Sequence, residues 1–135
     1  EEAENNAINA LKKVKMDNFI DKPPHHLSFG QKRKVAIASV LASEPELLVL
    51  DEPSSNLDPA SRRELIDILK SVEISLILVT HDLPMALEIC DRSIILNNGK
   101  ITTDMKTYEI LKDKKIMEEN RLELPYGFAL HHLDE

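Results

Sequence analysis

Two short apolar runs, "LLVL" at 47–50 and "SLILVT" at 75–80, constrain this chain more than any other feature. Each is continuous rather than alternating, the pattern of a strand covered on both faces, and strands of that kind belong to parallel sheets. Between them, Asp58 followed by Pro59 reads as an N-cap with proline at the first helical position, opening a helix over about 60–72. A strand, a crossover helix and a second apolar strand predict an α/β fold built on a parallel sheet.

The flanking segments keep the alternation. Ala3, Ala7, Ile8, Leu11 and Val14 fall on one helical face, predicting an amphipathic helix over 2–16, and Pro23 and Pro24 close the connection after it. A second helix is expected from about Gly30 to Ser43, with Val35, Ile37, Ala38, Leu41 and Ala42 as its apolar stripe. Leu83 to Cys90 predicts a short helix capped by Asp82. "RSIILNNGKITT" predicts a hairpin turning at Asn98 and Gly99, and Met105 to Glu118 a further helix. The tail "LELPYGFALHHLDE", 122–135, carries no clear pattern.

Composition narrows the class. At 135 residues this is one domain's worth of chain, and a globule of about that size buries roughly 68–70% of its unfolded surface. A net charge of −7 argues against nucleic acid as a partner, and the single Cys90, most simply a small core residue, suits a reducing cytosol. No stretch is apolar enough to span a bilayer, and the acidic first residues are the opposite of a secretory leader.

The chemistry collects where the strands end. "LLVLDEP" delivers Asp51 and Glu52 as the first apolar run stops, and ligands of open α/β sheets gather at the carboxyl ends of strands. One carboxylate there can hold Mg2+ while its neighbour orients and deprotonates a water. "VTHD" places His81 at the end of the second run, where an imidazole can bond a phosphate or the attacking water. Singly, an acidic pair is as well a loop start and a histidine a structural residue. A different demand comes from "HHLSFGQKRKV", 25–35, which puts Lys32, Arg33 and Lys34 into the first turns of a helix whose dipole is already positive there. Either an anion offsets them or they form a solvated basic face.

In order along the chain, "LSFGQ" at 27–31, "LLVLDEP" at 47–53, "SNLD" at 55–58 and "THD" at 80–82 resemble the signature motif, Walker B, D-loop and switch histidine of the ATP-binding-cassette (ABC) ATPases. Over "DKPPHHLSFGQKRKVAIASVLASEPELLVLDEP" the chain is most similar to ATPase subunits of energy-coupling-factor importers, above all the cobalt and nickel type. The resemblance implies ATP and Mg2+ as cofactors, Asp51 as metal ligand, Glu52 and His81 as catalytic residues, and Ser28, Phe29, Gly30, Gln31 and Asp58 as nucleotide contacts. It implies ATP sandwiched between this and a second ABC ATPase subunit, with transmembrane transporter subunits as partners at the cytoplasmic face of the membrane. The transported substrate is not written in these residues.

Two departures from the family pattern stand out. Phe29 occupies the position of the first signature glycine, while Ser28 and Gly30 are retained. No G-x-x-x-x-G-K-[ST] loop occurs, and Gly30, Gly99 and Gly127 are the only glycines, so the chain resembles the C-terminal half of an ABC-type P-loop nucleotide-binding domain with part of its helical subdomain. By itself such a chain is expected to be inactive and prone to aggregate. Its organisation reads as 1–45, the helical segment ending in the signature helix; 46–104, the α/β core; and 105–135, a C-terminal helix and tail. A soluble non-transport ABC ATPase, or a remnant that only supplies the signature helix, are the other readings. His25 with His26, and His131 with His132, lack the additional ligands of a tetrahedral metal set.

Overall fold

The computed structural model describes residues 1–128, which form two compact units, 1–80 and His81 onward. The sequence division at 45/46 and 104/105 follows the motifs, whereas the compact units divide between Thr80 and His81.

The first unit opens with α1 (Glu2–Lys13), acidic in its first turn and basic in its last, as the helix dipole favours. The helix stops short of the predicted 16 because Lys15 takes a left-handed φ of 57°, which lets Val14 and Met16 turn inward to full burial. Two 3-10 turns, Asp17–Phe19 and Pro24–His26, lead to α2 (Phe29–Leu41), which packs on α1. Strand β1 (Leu47–Asp51) follows, then α3 (Pro59–Ser71) and β2 (Ser75–Val79). β1 and β2 pair in parallel with Leu47 opposite Ser75 and Asp51 opposite Val79, so the predicted βαβ unit is present. Leu65, Ile66, Ile68 and Leu69 form the buried stripe of α3, and Leu48 is buried beneath β1.

The expectation that both apolar runs are covered on both faces is corrected. Leu48 is 2% exposed, but Val49, the next residue and on the opposite face, is 58% exposed, with Leu47, Ile77 and Val79 open beside it. Side chains alternate across a strand, and among the described residues no layer covers the face that these four share.

In the second unit, α4 (Leu83–Ile89) precedes an antiparallel hairpin of β3 (Arg92–Asn97) and β4 (Lys100–Lys106). Asn98 and Gly99 both have positive φ, 49° and 73°, as a two-residue type I′ turn requires. Arg92 braces the hairpin with two 2.7 Å bonds to Asp104. The single helix predicted over 105–118 is instead the end of β4 and two short helices, α5 (Thr107–Lys112) and α6 (Lys114–Glu119). Asp113 divides them: its ψ of 101° ends one helix, and its carboxylate caps the next by accepting from the Lys115 and Ile116 amides. Ile110, Leu111 and Met117 are the core here, packed by Leu83, Leu87, Ile95, Leu122 and Leu124. His131 and His132 lie outside the described residues.

Candidate active site

The carboxylates come first because the sheet aims them. β1 carries Asp51 to its carboxyl end, opposite Val79, with the side chain in solvent. One residue on, the Glu52 amide donates to the Val79 carbonyl at 2.8 Å, extending the parallel ladder past the strand. Glu52 then bends sharply, at a φ of 45°, a conformation that costs a non-glycine residue roughly 1–2 kcal/mol. Such strain persists where the surroundings fix it. Here Pro53 is fully buried, and the Ser55 amide returns to the Glu52 carbonyl at 3.1 Å. The half-buried Glu52 side chain accepts from the Thr80 hydroxyl, Oγ1 to Oε2, at 3.4 Å.

The loop runs on through Asn56, at a φ of 61°, to Asp58, which caps α3 as expected. Its Oδ1 accepts from the Ala60 and Ser61 amides at 3.0 Å each, and its Oδ2 from the Ser61 hydroxyl at 2.6 Å. The Ser61 hydroxyl and then the Ser61 amide hold the Asp58 carboxyl below its usual range. Pro59 loses nothing at the first helical position, where an amide hydrogen has no intrahelical acceptor.

At the start of α2, Ser28 and Gln31 form a reciprocal capping box. The Gln31 amide donates to Ser28 Oγ at 3.2 Å, and the Ser28 amide to Gln31 Oε1 at 2.9 Å. Phe29 is 53% exposed, with the Arg33 guanidinium 5.4 Å from its ring centroid. Gly30 is buried, and a Cβ placed on it would lie 2.8 Å from Ser61 Oγ and 3.0 Å from Ser61 Cβ. Only a residue without a side chain lets α2 approach α3 this closely. Arg33 also donates to the Ser55 carbonyl at 3.4 Å, and Lys34 pairs with Glu64 of α3 at 2.7 Å. Of the two alternatives for the three cations, an offsetting anion or a solvated basic face, neither describes all of them: Lys34 has a carboxylate within the chain, and Arg33 a ring and a carbonyl.

Two groupings result within the first unit. Asp51, Glu52 and Thr80 meet at the carboxyl end of the parallel pair. Ser28, Phe29, Gly30 and Gln31 open a helix whose Gly30 and Arg33 touch the segment 55–61 that contains Asp58. His81 begins the second unit, exposed, with its carbonyl accepting from the Leu83 amide at 3.0 Å; Asp82 beside it caps α4 through the Met85 amide at 3.0 Å. Cys90 is half-buried, and burial, then the neighbouring Asp91, push its thiol pKa up, away from the reactive thiolate.

The motifs assign no role to Thr80 or Ser61, and they name Arg33 only as one of three cations, with no partner inside the chain. A hydroxyl directly before His81 and a serine three residues after an N-cap are visible in the sequence; the bond from Arg33 to Ser55 spans 22 residues and is not. Among the described residues no three His, Cys, Asp or Glu side chains gather as a metal cage, and no helix is long and apolar enough to cross a membrane.

Residues 9–88 match the family described as "AAA domain, putative AbiEii toxin, Type IV TA system". A candidate ABC transporter ATP-binding protein of Streptomyces avermitilis is 63% identical over 119 residues, 88% of this chain and 45% of that protein. The energy-coupling factor transporter ATP-binding protein EcfA2 of Mycoplasmopsis pulmonis is 44% identical over 129 residues, 93% of this chain and 42% of its own length. Among solved structures, CbiO1 of Clostridium perfringens, described as part of the ABC transporter complex CbiONQ, superposes with a TM-score of 0.75 at 36% identity, over 90% of this chain and 50% of that one. The ADP conformation of MJ1267, an ATP-binding cassette of an ABC transporter, gives a TM-score of 0.79 at 26% identity, over 91% of this chain and 51% of that one. The chain spans about half the length of the curated relatives it matches. Ordered motifs, α/β fold, similar proteins and structural neighbours agree: the chain belongs to the family matched over 9–88 and to the ABC ATPases.

Proposed function

We propose that this chain is the signature-bearing portion of the ATP-hydrolysing subunit of an energy-coupling-factor importer for cobalt, nickel or another small nutrient. The observation that carries the reading is the pair Asp51–Glu52 at the carboxyl end of β1, with Glu52 bent out of the strand and tied to the end of β2. The likeness to EcfA2 and to CbiO1 supports the importer class.

Glu52 is the general base. It is half-buried and its carboxylate is held, so it is oriented to take a proton from a water attacking the γ-phosphate. Asp51, an exposed oxygen donor at a strand end, fits Mg2+, a hard cation that keeps several waters and binds through one or two carboxylates. When bound, that ion neutralises charge on the phosphates. His81 donates to the phosphoryl group being transferred. Ser28, Phe29, Gly30 and Gln31 face the γ-phosphate of ATP held by a second ABC subunit, where the Ser28 hydroxyl can donate while it accepts from Gln31. Asp58 serves the same interface by fixing the start of α3. The segments 1–45, 46–104 and 105–135 then act as helical subdomain, catalytic core and C-terminal extension. The assembly sits peripherally at the cytoplasmic face through transmembrane subunits. With no phosphate-wrapping loop in its 135 residues, the chain holds no ATP by itself.

The test is Glu52→Gln in the assembled ATP-hydrolysing complex that contains this chain. Binding of ATP persists and turnover falls by about 100-fold or more, the order expected on losing a general base. Turnover at the unsubstituted rate would remove Glu52 from the mechanism. His81→Ala lowers turnover more than ATP affinity, because its contact is to the transferred group; a loss of affinity alone would make it a binding residue.

A further inference from the structure

Glu52 is held by the end of β2. Two consecutive residues at the end of β2 hold it: the Val79 carbonyl takes its amide hydrogen at 2.8 Å, and the Thr80 hydroxyl reaches its Oε2 at 3.4 Å. The first bond fixes where the backbone bends, and it is part of the ladder that any side chain could share. The second acts on the carboxylate alone. An ionised carboxylate only accepts, so the hydroxyl must be the donor. The terminal torsion of a glutamate is broad and roughly two-fold, and fixing one oxygen is what sets the direction of the other. Threonine suits this task because its β-branch restricts the rotamer that aims the hydroxyl. A bond of 3.4 Å is long, but hydrogen bonds of catalytic groups are commonly long in ligand-free proteins and tighten in the reacting complex.

We propose that Thr80 is a positioning residue for Glu52: its hydroxyl holds Oε2 and so orients the carboxylate toward the attacking water, without touching nucleotide. This rests on Glu52 being the base. It assigns to the residue before His81 a role separate from that of the histidine. It also predicts that the hydroxyl, rather than the shape of the side chain, is what the site needs.

The experiment measures steady-state ATP hydrolysis by the complex containing this chain, with Thr80→Val, Thr80→Ser, Glu52→Gln and the double variant Thr80→Val/Glu52→Gln. Valine keeps the shape and deletes the donor, so kcat falls by ~10-fold while KM for ATP stays within ~2-fold, the signature of an interaction that matters in the transition state. Serine restores the donor and recovers kcat to within ~3-fold of the parent. In the Glu52→Gln background Thr80→Val costs nothing further, because residues acting as one unit are not additive. If Thr80→Val fails to fold, Thr80→Ala deletes the same hydroxyl, with thermal unfolding as the check. Parental kcat in a folded Thr80→Val or Thr80→Ala, a serine variant as slow as valine, or a full further loss in the double variant each overturns the proposal. Parental turnover in Glu52→Gln overturns the assignment of Glu52 itself, and is thereby distinguishable from a failure at Thr80.

Discussion

The starts of α2 and α3 are nearly the same backbone put to opposite electrostatic use. Each helix has 13 residues, and the caps are superimposable in their dihedrals, Ser28 at φ −65°, ψ 166° and Asp58 at φ −66°, ψ 161°. Asp58 brings its own charge to the positive end of α3, satisfies two amides and a hydroxyl, and is followed by a proline that leaves no first amide to satisfy. Ser28 is neutral, and no acid stands in the first turn of α2; three cations follow instead. One helix start is closed upon itself. The other is satisfied in its capping box and unbalanced in charge, apart from the Lys34–Glu64 pair that α3 lends it. Identical cap geometry therefore says little about whether a helix end is structural or recognitive; the charge of the cap and of the next turn decides. Under the proposed function, the unbalanced end is the one turned to the phosphate of a partner's ATP.

The largest effect that would sharpen this comparison comes from where the two starts touch. Gly30→Ala puts a Cβ 2.8 Å from Ser61 Oγ, an atom that is itself committed to Asp58 at 2.6 Å. Overpacking of this kind costs about 1–3 kcal/mol. Alanine is favoured over glycine in helix interiors by up to about 1 kcal/mol, so a net loss identifies the contact as its cause. Urea denaturation is the measurement. Ser61→Ala added to Gly30→Ala should recover part of the loss by removing the nearest atom. Simple additivity of the two substitutions would break the inferred close approach.

The caps were legible in the sequence because they are local. Asp58–Pro59, Asp82 and Asn98–Gly99 each declare a helix start or a turn within four residues, and all stand where expected. Asp51 and Glu52 were legible because an apolar run has to end, and its register with β2 decides what they meet. Other features were hidden by competition or distance. The stop of α1 depends on the left-handed Lys15, a lysine that periodicity would leave in the helix. Asp113 reads as one polar position on a helical face but acts as a cap, dividing the last helix in two. The open face of Leu47, Val49, Ile77 and Val79 could not be foreseen, since an apolar run states a need for cover and not whether cover is present. The contacts of Gly30 with Ser61 and of Arg33 with Ser55 join segments more than twenty residues apart, so no local pattern announces them.

A smaller effect distinguishes the two caps one at a time. Ser28→Ala removes an acceptor from the Gln31 amide and a partner from the capping box, costing about 1 kcal/mol of stability. Gln31→Ala breaks the other half of the box and should cost less, because the Ser28 bond to the Gln31 amide survives it. If Gln31→Ala proves the more damaging in urea denaturation, the glutamine side chain rather than the serine hydroxyl holds the start of α2.

The smallest effect is the most direct test of the contrast in charge, and it is read against pH. The Asp58 carboxyl titrates below its ordinary value of 3.8 in the folded chain, chiefly because the Ser61 hydroxyl and amide bond its charged form. A carboxyl depressed on folding adds stability that is complete above the unfolded value and disappears as the pH falls through the folded one. Asparagine is nearly as good an N-cap as aspartate, so Asp58→Asn keeps the cap and deletes the charge. The gap in stability between parent and Asp58→Asn should therefore be constant down to about pH 4 and close below it, by a modest amount for so exposed a group, and less in high salt. The gap between parent and Ser28→Ala should stay level over the same range, since neither Ser28 nor Gln31 ionises there. Comparing gaps rather than absolute stabilities removes the common acid loss from the other carboxylates. A gap for Asp58→Asn that does not narrow in acid would mean that the charge at α3 contributes nothing, and the two helix starts would then differ only in sequence.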